Sequence, residues 1–164
     1  MGSEEIGGEK HKARKIVVAV DESEESMYAL SWCLNNIIVR HPEDSFVILH
    51  AKRPTVVYSG FDNSAYLSSH DALSSLDRRD SDMACWVLQK AEKLCAEHDV
   101  KVEGRVEEGD PGDVICEMVK VLKADLLVTG SHGYGQLTRA ILKSVSHHCV
   151  QNAGCPVLVV KMPK

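Results

Sequence analysis

Five short apolar runs recur along the chain. Lys15–Val20 (KIVVAV) is rich in β-branched residues and is followed by the polar DES of Asp21, Glu22 and Ser23. Phe46–Ala51 (FVILHA), Asp125–Gly130 (DLLVTG) and Pro156–Lys161 (PVLVVK) are similar, and Val100–Gly109 (VKVEGRVEEG) alternates apolar with polar. Short continuous runs suit strands covered on both faces, and alternation suits a half-buried strand.

Between the runs the period changes to that of a helix. Met27, Leu30, Leu34 and Ile37 form one stripe, and Ala84, Val87, Leu88, Ala91, Leu94 and Cys95 a second. Val114, Ile115, Met118, Val119 and Leu122 form a third. Leu137, Ala140, Ile141, Ser144, Val145 and His148 form a weaker fourth. Such stripes face a core. Asp21 and Ser23 precede the first helix, Asp80 or Ser81 the second, and Asp110-Pro111 the third, where the missing proline N–H is least needed. Strands alternating with helices predict a parallel sheet joined by right-handed crossovers. The pattern occurs once, so the expectation is one domain over residues 14–164, preceded by a flexible tail over 1–13. Arg53–Arg79 interrupts the order. It is polar and serine-rich, and reads as a mobile surface loop holding at most a short helical turn.

Composition narrows the function classes. The chain has 164 residues and a formal charge of −5, which argues against a nucleic-acid partner. No apolar run reaches the length of about 18 residues that a membrane span needs. The N-terminus lacks the apolar core of a secretion signal. Six cysteines are present without a C-x-x-C pair, and most fall in apolar helical patterns. Reduced thiols in a cytoplasmic compartment are expected, not a disulfide framework or a metal site.

Candidate chemistry gathers at two polar junctions. Ligands of open parallel sheets bind beyond the carboxyl ends of the strands, where strand order reverses. Ala19-Val20-Asp21-Glu22-Ser23 ends the first run, and Thr129-Gly130-Ser131-His132-Gly133-Tyr134-Gly135 ends the fourth. Glycines let backbone N–H groups approach an anion, and a following helix N-terminus adds donors and partial positive charge. Ser144 and Ser146 offer hydroxyls, and His132 sits in the turn itself. Asp21 has two readings, as an acceptor for a ribose diol or as a helix cap. His50 ends the second run and reads as a residue lining the crevice. A P-loop is excluded because Gln136-Leu137 follow Gly135. The dinucleotide fingerprint fails as well, with Thr138 where its last glycine belongs. No obvious nucleophile–base–orienter set accompanies His132, such sets being spatial, and the G-x-S-x-G elbow is absent. No catalytic residue and no metal ligand is assigned.

From VVAVDESEES through EEGDPGDVICEMV to LVTGSHGYG and KSVSHHCVQNAGCPVLVVK, the chain resembles the universal stress proteins, in particular the small single-domain type common in plants. The resemblance implies a Rossmann-like α/β domain of the adenine nucleotide alpha hydrolase-like kind. That domain is an open five-stranded parallel sheet of order 3-2-1-4-5 with helices on both faces. It implies ATP or AMP as ligand, with Mg2+ possible beside ATP, and slow ATP hydrolysis at most. The ATP-binding branch carries G-x-x-G, nine residues, then G-[ST]. Gly130, Gly133 and Ser144 match, but Lys143 stands in place of the last glycine. By resemblance, Ala19, Val20 and Asp21 would contact adenosine, with Asp21 on the ribose, and Ala51 would offer its backbone to adenine. Gly130, His132, Gly133, Ser144, Val145 and Ser146 would surround the phosphates. Lys143 would reach the phosphates as a point charge, fill their site, strain the backbone, or point to solvent. A non-nucleotide member acting through protein contacts or chaperone-like holding is the alternative. An enzyme acting on an adenylated substrate would carry S-G-G-x-D after the first strand, where this chain has DESEE.

The resemblance also implies homodimers joined through the last strand. Physical reasoning agrees, since Pro156–Lys161 would be a bare apolar edge and antiparallel self-pairing would close it. Signalling partners are not named by the sequence.

Overall fold

The computed structural model of the protein describes residues 12–54, 66–131 and 145–163, with side chains from residue 74 onward in the second of these segments. Its elements are β1 (Lys15–Ala19), α1 (Glu24–Asn36), a 3-10 turn (Ile38–Arg40), β2 (Ser45–Lys52), α2 (Tyr66–Ala96), β3 (Glu103–Glu108), α3 (Pro111–Val121), β4 (Leu126–Gly130), α4 (Val145–Asn152) and β5 (Val157–Val160). All neighbouring strands pair in parallel, in the order β3-β2-β1-β4-β5. The expected order and fold class are therefore present.

Strand alternation divides the core in two. Ile16, Val18, Phe46, Ile48 and Val128 face α1 and α2, which contribute Leu30, Cys33, Leu34, Val87 and Ala91. Val17, Val47, Leu49 and Leu127 face α3 and α4, which contribute Ile115, Val119 and Cys149. Both sides of β1 are thus dry, which is why KIVVAV reads as continuous and not alternating.

The amino end of the sheet is pinned by charge. Arg14 donates to Asp44 from its backbone N (2.8 Å), Nε (3.0 Å) and Nη2 (2.6 Å). Lys15 N donates to Asp125 Oδ2 at 2.8 Å. These contacts tie the starts of β1, β2 and β4 together. The other end of the sheet carries the cleft.

One element differs from expectation. The stretch read as a mobile loop over 53–79 is helical from Tyr66, and α2 does not begin at Asp80 or Ser81. Residues 74–79 are exposed all round, and Ala84 is the first buried position among the helix residues whose side chains are described. A helix with no buried face leaves no apolar period to read. Extension of an existing helix needs no new nucleus, and Leu76, Arg78 and Arg79 favour it. Lys52 Nζ then bonds Asp77 Oδ1 (2.7 Å) and Ser81 Oγ (3.1 Å), joining this half of the helix to β2. Residues 1–11, most of the expected tail, and 55–65 lie outside the described residues.

Candidate functional site

Beyond the carboxyl ends of β1, β2 and β4 lies a cleft of about 400 Å³. The chain goes from β1 to β2 on one side and returns to place β4 on the other, so the cleft sits where strand order reverses.

Its centre is the β1–α1 junction. Val20 N–H donates to Leu49 O at 2.9 Å, and Nδ1 of buried His50 donates to Val20 O at 2.9 Å. Val20, the last residue of the β1 run, is therefore held through both its N–H and its carbonyl by β2. Asp21 follows and lines the cleft. Its N–H donates to Ser26 Oγ at 3.0 Å. Its Oδ1 accepts from Ser23 N at 3.0 Å and from the Ser23 hydroxyl. Ser23 is itself the N-cap of α1, accepting from Ser26 N at 3.2 Å. Asp21 thus braces the cap from two residues before it. The carboxylate is fixed on the cleft wall by the turn that starts α1.

Gly130 ends β4 directly opposite. A Cβ there would stand 2.6 Å from Glu25 O and 2.9 Å from Ser26 N. The glycine lets the first turn of α1 close onto β4, a packing reason beside the anion-approach reading. The far wall is built by α3 and α4. Asp110 caps α3 by accepting from Gly112 N at 3.1 Å, with Pro111 at the first helical position. Gly112 lies under the His148 ring, where a Cβ would meet it at 2.8 Å, and His148 Nε2 reaches Asp113 Oδ1 at 3.1 Å. These contacts hold the first turn of α4, with Val145 and buried Ser146, at the cleft.

Of the residues singled out in the sequence, Ala19, Val20, Asp21, Ala51, Gly130, Val145 and Ser146 all line this one cleft. His132, Gly133, Lys143 and Ser144 lie outside the described residues. Among the described residues, no group of three or more His, Cys, Asp or Glu side chains is arranged to hold a metal ion.

The structure adds residues that the sequence reading left out. Asp80 and Met83 of α2 form part of the wall, a position that cannot be read before the helix is packed. Lys52 stands at the lip, where its hydrogen bond to Asp77 raises the ammonium above its usual range. Thr129 also lines the cleft. It belongs to the junction already singled out in the sequence, where its hydroxyl is the polar side chain of LLVTG. Burial pushes the thiols of Cys33 and Cys149 up to about 12, so they act as core side chains and not as nucleophiles.

Comparison with known proteins agrees with this geometry. The model of the universal stress protein family matches residues 12–161. A universal stress protein A-like protein of Arabidopsis thaliana is 34% identical over 161 residues, covering 90% of this chain and 89% of that one. Universal stress protein MJ0531 of Methanocaldococcus jannaschii is 34% identical over 151 residues, covering 92% and 84%. Among solved structures, a universal stress protein family protein from Arabidopsis thaliana with AMP bound superposes with a TM-score of 0.68. It is 26% identical and covers 92% of each chain. With the family model matching residues 12–161, and relatives 34% identical over nine-tenths of its length, this chain belongs to the universal stress protein family.

Proposed function

We propose that the protein is an adenine-nucleotide-binding stress-response module that takes AMP or ATP in the cleft between β1 and β4. One observation carries the reading. Seven residues that the family resemblance assigns to a nucleotide line a single cleft at the switch point of the sheet. The bound AMP of the Arabidopsis structure supports the same ligand class. Asp21 supplies an acceptor suited to a ribose diol, and the first turn of α4 supplies donors suited to phosphate. Binding is the activity, with slow ATP hydrolysis at most. The protein acts in the cytoplasm as a homodimer paired through β5, and nucleotide occupancy changes its partner contacts.

Lys143 in place of a motif glycine favours a second reading, in which the phosphate end is closed and the protein works through protein contacts alone. Denaturing the purified protein and chromatographing the supernatant for released adenine nucleotide separates the two. Calorimetric titration with AMP, and with ATP with and without Mg2+, follows for the parent and Lys143→Gly. AMP binding by the parent is expected. Binding of ATP by Lys143→Gly alone establishes the closed-site reading, and binding by neither chain removes the nucleotide from the account.

A further inference from the structure

One hydroxyl of α2 is held by a charge from the sheet. Ser81 is exposed, and its Oγ accepts from Lys52 Nζ at 3.1 Å, while the same ammonium bonds Asp77 Oδ1 at 2.7 Å. The Lys52 side chain is only 11% exposed, so its position is set by the body of the protein. A cation carried by β2 therefore stands over two positions one turn apart on α2. One carries a carboxylate and the other a neutral hydroxyl.

The residues before this hydroxyl are Arg78, Arg79 and Asp80. Ser81 is the only serine of the chain with arginines at both the second and the third position before it. Paired cations just before a hydroxyl suit a protein kinase whose substrate groove is acidic. Presenting Ser81 to such a groove requires the helix to open around it. No side chain described from 74 to 83 is buried, so the opening gives up no core contact there. Segments of that kind lie at the low-stability end of a fold.

We propose that Ser81 is a phosphorylation site for a kinase that selects basic sequences, and that Lys52 receives the phosphate. In the reaction Ser81 Oγ attacks the terminal phosphorus of ATP. The Oγ–P bond forms, the bond from that phosphorus to the bridging oxygen breaks, ADP leaves, and the hydroxyl proton passes to the kinase. The product carries a charge of about −2 and three strong acceptor oxygens where a neutral hydroxyl stood. It takes the Lys52 ammonium from Asp77, which is 62% exposed and returns to water. The anchor between β2 and α2 thereby moves one turn along the helix, from Asp77 to Ser81. The proposal is independent of the nucleotide reading.

The catalytic subunit of cyclic-AMP-dependent protein kinase, with Mg2+ and ATP, tests the site on the intact chain. Mass spectrometry should place phosphate on Ser81, and Ser81→Ala should lose it. Arg78→Gln combined with Arg79→Gln should slow the modification about tenfold or more, the scale of lost hydrogen bonds to charged groups. An unmodified Ser81 would overturn the proposal, with or without phosphate on Thr55, which follows Lys52 and Arg53. A rate indifferent to both arginines would overturn it as well. Capture by Lys52 is read separately, by phosphorus NMR titration of the phosphorylated parent and of phosphorylated Lys52→Ala. The second ionisation of a phosphoserine has a pKa of about 6. It should lie about 0.5–1 pH unit lower in the parent than in Lys52→Ala, because a nearby cation favours the dianion. Asp77, Arg78, Asp80 and Asp82 of α2, Arg53, and Glu108 of β3 act on the phosphate in both proteins, so the difference isolates Lys52. Equal values in the two proteins would overturn the role of Lys52.

Discussion

At the residue scale, the two ends of β1 are fixed by different physics. At the carboxyl end, a hydrogen bond from Val20 N–H to Leu49 O and one from His50 Nδ1 to Val20 O set the direction in which Asp21 leaves the sheet. At the amino end, an ion pair does the holding, and Asp44 is its buried partner. Burial acts to raise the Asp44 pKa, but the hydrogen bonds and charge of Arg14 outweigh it, and the carboxyl titrates below its ordinary range. A depressed folded pKa stabilises the fold above the unfolded carboxyl value of about 3.9 and loses that contribution as pH falls through the folded value. Asp44→Asn should therefore lower unfolding free energy at pH 7 by about 1.5–3 kcal/mol, the scale of a hydrogen bond to a charged group. The gap between parent and variant should begin to narrow below about pH 4, where the unfolded carboxyl takes up its proton, and should close as pH falls through the lower folded value. Urea midpoints at pH 7 and pH 3 measure both, and a gap that does not change with pH contradicts the assignment.

At the scale of elements, α2 is two helices in one. Its second half buries Ala84, Val87, Ala91 and Cys95 against the sheet. Its first half is exposed on every side over 74–79 and is joined to the body through Lys52. Lys52→Ala removes that link. The exposed half should then open more often, and trypsin should cut after Arg78 and Arg79 about two- to tenfold faster, while cleavage within residues 84–96 stays slow. Unchanged cleavage would mean that the segment holds itself by helix propensity alone. The same division explains what the sequence could tell. The buried half announced itself through its apolar period, and so did each strand, because burial writes a period into the chain. Residues 74–79, exposed as they are, carry no such imprint, so they read as part of a loop. At the cleft, Asp21, Gly130 and Ser146 were legible because turns and helix starts need particular residue types. Met83 and Asp80 were not, since only the packing of α2 brings them to the wall.

For the whole molecule, the two edges of the sheet are unlike. β3 ends one side with Glu103, Glu107 and Glu108, and Arg105 pairs with Glu103 at 2.7 Å. Charge along an edge opposes pairing with another copy. β5 ends the other side with VLVV, and Val150 of α4 and Met162 are exposed nearby in the chain. Self-association through β5 is the arrangement this asymmetry favours. The hydrogen-bond phase of β5 supplies a clean test. Pro156 O accepts from Leu127 N, and Val160 O accepts from Ser131 N. Peptide groups alternate in direction along a strand, so the N–H groups of Val157 and Val159 face away from β4. Val159→Pro removes one outward donor while sparing the β4–β5 ladder, a substitution that edge strands tolerate. The parent should sediment as a dimer at micromolar concentration and Val159→Pro as a folded monomer, with an unchanged far-ultraviolet circular dichroism spectrum. A variant that remains dimeric would move the interface away from β5. A parent that is monomeric throughout would leave the apolar edge to a different occupant and detach nucleotide binding from assembly.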